Sequence, residues 1–216
     1  MIAEAAMEKF KPLDFETYKR KEHFEHYLKS VPCTYSMTVM IDISNIKKRG
    51  IKLYPAMLYC LTRAVNLHEE FRTSFDQNGR VGVFETMNPS YTVFHEESGT
   101  FSSIWSEFKD DFAEFSAIYS QDVELYGSKE GFFTKPNAPD NLFNVSMVPW
   151  ETFGGFNLNL SDFTYLLPIF TLGRFYEQGG KTLMPLAAQV HHAVCDGYHL
   201  HIFLDDLREQ IAALKG

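Results

Sequence analysis

Polar and apolar residues alternate most clearly between positions 33 and 43. Cys33, Tyr35, Met37, Val39, Ile41 and Ile43 fall on one side, and Thr34, Ser36, Thr38 and Asp42 on the other. That period of two predicts a strand with one buried face. Before it, the stripe of Phe15, Tyr18, Phe24, Tyr27 and Leu28 predicts a helix over 15–29. Pro55 suits the first turn of a helix running to about His68. Asn78-Gly79 joins two short runs as a hairpin turn. Residues 90–95 and 101–105 read as strands, and 107–125 as a helix.

In the second half, 142–148, 156–160, 165–175 and 181–192 read as extended. A last helix covers 196–214, with Leu200, Phe203, Leu204, Leu207, Ile211 and Leu214 on one face. Helices at both ends and in the middle, with strands between, predict an α/β fold: a two-layer sandwich of helices on one sheet. The most linker-like stretch, 127–141, still carries Phe132 and Phe133 and reads as an ordered loop. Residues 1–216 are therefore expected to form one domain.

Composition narrows the partners. The 20 Phe and 11 Tyr suit an aromatic core, an aromatic pocket for a flat organic ligand, or both. A net charge of −8 disfavours nucleic acid or an anionic membrane as partner. There is no apolar run long enough for a membrane span, and the first residues carry Glu4 and Glu8 without an apolar signal core. Three widely spaced cysteines, Cys33, Cys60 and Cys195, fit reduced thiols. A cytoplasmic protein is expected.

The strongest chemical signal is the string His191-His192-Ala193-Val194-Cys195-Asp196-Gly197. By period two, His192 continues the row Met184, Leu186, Ala188 and Val190, while His191 follows Gln189. A desolvated imidazole stays neutral near pH 7 and can accept a proton, which a general base must do. Asp196 then occupies the N-cap of the last helix, and Gly197 permits close approach. The plainer alternative is a buried structural histidine followed by an ordinary cap. A metal site formed with His199 and His201 is disfavoured by geometry. Neighbouring strand residues point to opposite faces, and residues two apart on a helix diverge by about 200°. Cys195 lacks an orienting third group and reads as a small buried thiol rather than a nucleophile.

Together with other strings, HHAVCDGYH (191–199) resembles the classical trimeric chloramphenicol acetyltransferase family. The others are RKEHFEHY (20–27), VPCTYS (31–36), YPAMLY (54–59), TVFHEESGTFSS (92–103), FNVSMVPW (143–150), FNLNL (156–160) and PIFT (168–171). The HHxxxDG string alone marks a wider superfamily of CoA-dependent acyltransferases. The resemblance implies that superfamily's mixed β-sheet fold and transfer of acetyl from acetyl-CoA to the 3-hydroxyl of chloramphenicol, which blocks ribosome binding. It implies His192 as general base, with its near nitrogen bonded to its own carbonyl and no covalent acyl-enzyme. It pairs Asp196 with Arg20, makes Ser146 the oxyanion donor, and has Thr171 hold a water nearby.

The same resemblance draws the drug pocket from Tyr27, Cys33, Tyr35, Thr92, Phe101, Phe133 and Leu158. It assigns Lys52, Arg174 and Phe175 to acetyl-CoA, no metal, and a homotrimer with each site at a subunit boundary. Departures are Tyr18 where relatives often carry Trp, Arg174-Phe175 where Lys-Tyr is common, and His26 at an often aromatic position. Two other readings remain at this stage. One is another superfamily acyltransferase, such as a 2-oxo acid dehydrogenase core, for whose lipoyl and subunit-binding segments 216 residues leave no room. The other is a module that binds a hydrophobic drug without chemistry.

Overall fold

The alternation over 33–43 is realised as an edge strand of the large sheet in the computed structural model, which describes residues 10–215; at that edge Ile41 is buried but Met37 is exposed. The chain begins with β1 (Phe10–Pro12), α1 (Lys21–Glu25) and a π-helical turn (His26–Ser30), then β2 (Thr34–Asp42). Next come α2 (Ser44–Lys48), α3 (Leu53–Leu67), β3 (Thr73–Phe75), β4 (Val81–Phe84), β5 (Asn88–His95), β6 (Thr100–Trp105) and α4 (Phe112–Tyr126). The last part is β7 (Leu142–Val148), β8 (Ile169–Gly173), β9 (Tyr176–Gln178), β10 (Lys181–His191) and α5 (Gly197–Ala213).

The large sheet runs β2-β10-β8-β7-β5-β6, with β9 beside β10; β1, β4 and β3 form a separate small sheet. Pairs β5–β7 and β7–β8 are parallel, and the others antiparallel, so the sheet is mixed. Its two faces differ sharply. Ala188, Phe170, Val145, Tyr91 and Ile104 lie in register across the strands and are buried under the helices. Phe203 of α5 stacks on Phe170 with centroids 5.2 Å apart. Leu200, Phe203, Leu204, Leu207 and Ile211 are all buried, each contributing about 1.5–3 kcal/mol. The next row, Thr38, Ala187, Thr171 and Ser146, points the other way. This second face is rich in hydroxyls and amides, and is called the open face below.

Several expected boundaries shift. Residues 15–20 are turns rather than helix, because Asp14 takes the Glu16 N–H and the Thr17 hydroxyl on its side chain. The middle helix starts at Phe112, where Asp111 accepts the Glu114 N–H as a cap, and not at Glu107. Of 165–175, only Ile169–Gly173 is strand. Residues 156–160 form no strand. Their amides instead bond side chains of the open face, Phe156 N–H to Thr38 Oγ1 at 3.2 Å and Leu158 N–H to Gln189 Oε1 at 2.9 Å.

Candidate active site

Strand β10 stops at His191, and the chain turns sharply into α5. The Val194 and Cys195 N–H groups both donate to the His191 carbonyl, at 3.2 and 3.0 Å. The His192 N–H donates to the Cys33 carbonyl at 2.9 Å, tying the turn to the start of β2. Asp196 caps α5: its Oδ1 accepts the Tyr198 and His199 N–H groups, and its own N–H donates to His199 Nδ1. The other oxygen, Oδ2, accepts from Arg20 Nη1 at 2.6 Å. The expected Arg20–Asp196 pair is therefore present. Burial pulls the Asp196 carboxyl upward, but the Arg20 hydrogen bond and the His199 and Arg20 charges outweigh it and hold it below the usual range.

The His192 ring is bracketed by aromatics. Tyr27 stacks on it, and Tyr35 meets it edge-on at 5.3 Å. Tyr27 reaches that place from the π-helical turn, whose Val31 N–H bonds the His26 carbonyl five residues back. Two expectations are corrected here. The strand ends one residue early, so His192 does not continue the buried row. It is half-buried, and His191 is the deeply buried ring at 1 % exposure. His191 Nδ1 accepts the Ala193 N–H at 3.1 Å, and burial holds its pKa below the ordinary value. His192 Nδ1 is buried without a hydrogen-bond partner, so the bond to its own carbonyl is not formed. Packing against Tyr27, not a hydrogen bond, orients the ring.

Burial pushes the Cys195 thiol up to about 12, which leaves it inert as a nucleophile. Burial likewise raises Tyr35, and the adjacent Cys195 thiol adds to the shift.

The remaining candidates occupy the open face. Ser146 Oγ and Thr171 Oγ1 lie 3.1 Å apart across the β7–β8 pair. Thr92 faces Ser103 across β5–β6, Phe133 bridges Ser103 from the loop, and Leu158 hangs from Gln189. Phe101 pairs with Phe94, and each is a little under half exposed. Thr171 pairs with Ala187, five residues before His192, which is about 16 Å along β10. Tyr27, Cys33 and Tyr35 thus gather at His192. Ser146, Thr171, Thr92, Phe101, Phe133 and Leu158 gather on the open face, and one chain does not bring the two groups together.

Lys52, the N-cap of α3, and Arg174 are exposed, and neither makes an ion pair among the described residues. Phe175 packs under Lys47 at 4.5 Å. A cleft of ≈ 800 Å³ lies behind the Arg20 side of the motif, bounded by Tyr18, Arg20, Arg72 and His199; neither His192 nor Ser146 lines it. Sequence reasoning missed Gln189, which clasps both Ser36 and Leu158, and Phe132, which packs on Phe101. A lone amide in the apolar run 183–190, and a second phenylalanine beside Phe133, were the available signals.

A family model described as chloramphenicol acetyltransferase matches residues 8–208. The chloramphenicol acetyltransferase of Campylobacter coli is 56% identical over 201 residues, 93% of this chain and 97% of that protein. This chain belongs to the chloramphenicol acetyltransferase family. A chloramphenicol acetyltransferase of Clostridium perfringens is 54% identical over 203 residues, 94% of this chain and 98% of that one. A solved chloramphenicol acetyltransferase structure shares the fold, with a TM-score of 0.83 at 22% identity over 94% of this chain and 99% of that one. The truncated catalytic core of a 2-oxoacid dehydrogenase complex from Thermoplasma acidophilum superposes with a TM-score of 0.63 at 16% identity, covering 95% and 100%. The family's fold is thus the wider acyltransferase fold, as the HHxxxDG string implied.

Proposed function

We propose that this protein is a chloramphenicol O-acetyltransferase that uses His192 as general base. The observation that carries this reading is the His192 ring, held between Tyr27 and Tyr35 at the end of a turn locked by Asp196 and Arg20. The remote ring nitrogen takes the proton of the 3-hydroxyl as that oxygen attacks the thioester carbonyl of acetyl-CoA. Ser146 donates to the tetrahedral oxyanion, and Thr171 beside it holds a water. Collapse breaks the C–S bond, and the departing thiolate takes the proton back from the imidazolium. The products are the acetylated drug and CoA, and no acyl-enzyme forms.

Tyr27, Cys33 and Tyr35 supply the drug contacts on the base side. Thr92, Phe101, Phe133 and Leu158 supply those on the oxyanion side. Lys52 and Arg174, exposed and free of ion pairs among the described residues, suit phosphate groups of acetyl-CoA, and Phe175, packed under Lys47, offers an apolar surface next to Arg174 in the chain. Separation of His192 from Ser146 within one chain supports a homotrimer whose sites are completed between subunits. So do the exposed aromatics Phe94, Phe101, Phe133 and Trp150 beside the open face. Free thiols at Cys33, Cys60 and Cys195 fit a reducing, cytoplasmic setting.

The test mixes purified protein with acetyl-CoA and chloramphenicol and follows CoA release with a thiol reagent. Drug-dependent release is expected, and His192→Ala lowers it by about 10²–10⁴ while calorimetric drug binding persists. Drug binding without release would leave the non-catalytic module, and release lost together with binding would remove the base assignment.

A further inference from the structure

We propose that the ion pair Lys135–Asp122 is a latch that fixes the aromatic arm Phe132–Phe133 on β6 and so sets affinity for the acetyl acceptor. The inference rests on the reading of Phe133 as an acceptor contact. Phe132 and Phe133 are 52% and 77% exposed, so beyond the edge contact of Phe132 with Phe101 apolar burial within the chain does little to hold them in place. Polar contacts do. Ser103 N–H donates to the Phe132 carbonyl at 2.6 Å, and Phe133 bridges Ser103 in parallel. Before the arm, Ser102 Oγ donates to the Gly131 carbonyl at 2.8 Å; after it, Thr134 Oγ1 donates to the Tyr126 carbonyl at 3.0 Å.

Lys135 closes the arm and carries its charged end into the interior. Its Nζ donates to Asp122 Oδ1 at 2.6 Å and to the Trp105 carbonyl at 3.0 Å, and lies 3.8 Å from the centre of the Trp105 ring. The other Asp122 oxygen accepts from Ser106 Oγ at 2.7 Å, which in turn meets the fully buried Tyr91 hydroxyl at 2.8 Å. The latch therefore joins α4, β6 and β5 to the loop. Its side chains are only 13% and 9% exposed. A buried ion pair is a poor source of stability compared with apolar packing, but its several directed contacts fix one geometry. Here that geometry is the position of the arm two residues away, beside Ser103 and, across β5–β6, Thr92.

Lys135→Met combined with Asp122→Leu removes both charges without stranding a buried carboxylate. The expected result is a rise of about tenfold or more in KM for chloramphenicol. The KM for acetyl-CoA and kcat stay unchanged, and hydrogen-exchange protection of the Ser103 amide is lost. Lys135→Arg, which keeps the charge but not the three contacts, is expected to give a smaller rise in the same KM, and serves alone if the double variant does not fold. A Ser103 amide as protected as in the parent overturns the latch. An unchanged chloramphenicol KM also overturns the inference when Phe133→Ala, run alongside, raises it. If Phe133→Ala itself leaves that KM unchanged, the pocket reading fails, and the amide protection still decides whether the latch exists.

Discussion

The ring of Tyr27 lies flat on the ring of His192, with centroids 3.9 Å apart and planes 11° apart. The imidazole has no hydrogen bond at Nδ1, so this stack is what sets its direction. Aromatic pairs contribute about 0.5–1.5 kcal/mol beyond burial. Tyr27→Phe keeps the face of the ring and is expected to retain parental kcat. Tyr27→Ala is expected to lower kcat by about 2- to 12-fold, the same energy expressed as a rate. Steady-state thiol release measures both, and equal kcat values for the two variants would mean that the ring is oriented by something else.

Ser146 sits beside Thr171 on the open face, and the proposed mechanism confines its work to the charged intermediate. Ser146→Ala is expected to reduce kcat by about 10²–10³ with little change in drug Kd. Parallel losses in kcat and binding would make Ser146 a ground-state contact.

Among the described residues, Arg20 is the only lysine or arginine paired with Asp196, at 2.6 Å. Arg20→Ala leaves a partly buried carboxylate short of a partner and is expected to cost about 1–3 kcal/mol. For a chain of this size each kcal/mol moves the thermal midpoint by about 2–4 °C. The Asp196 pKa is depressed in the fold, so the pair's contribution is present above the unfolded value of about 3.9 and is lost as pH falls through the folded value. The gap in stability between parent and Arg20→Ala should therefore be full at neutral pH and close in acid. A variant that melts with the parent at pH 7 removes the pair from the account of the motif.

His191 should make the fold acid-sensitive in a second window. Burial lowers its pKa; the Phe163 carbonyl opposes this and the neighbouring His192 adds to it. The stability linked to the neutral ring is present above the unfolded value of about 6.5 and is lost as pH falls through the lower folded value. His191→Asn offers an oxygen to the Ala193 N–H without a titrating ring. Urea unfolding at about pH 7.5 and about pH 5 should show a larger drop for the parent than for this variant. Identical drops would show that His191 does not titrate in the transition.

Much of the architecture was legible because it follows local periodicity. The alternation in β2, the apolar face of α5 and the Asn78-Gly79 turn each depend on near neighbours, and each appears where expected. Boundaries failed where side chains outside the pattern captured backbone groups. Asp14 drew residues 15–20 into turns, and Gln189 and Thr38 took the amides of 156–158 that would otherwise have joined a strand. The site was legible as residue types in a string. Which of the paired histidines is fully buried depends on where β10 ends, and a period of two cannot place an ending.

By itself, the amino-acid sequence determined the longer elements with clear periodicity, the HHxxxDG motif with its helix cap, and the family, since all of these are written in the order of neighbouring residues. Tertiary structure alone decided that Tyr27 lies flat on His192, that His191 rather than His192 is the deeply buried ring, and that Ser146 is held away from the base along the sheet of one chain. The reason is physical: those contacts are set by the register of strands and the end of one of them, and register is a property of how distant segments pair rather than of any one segment.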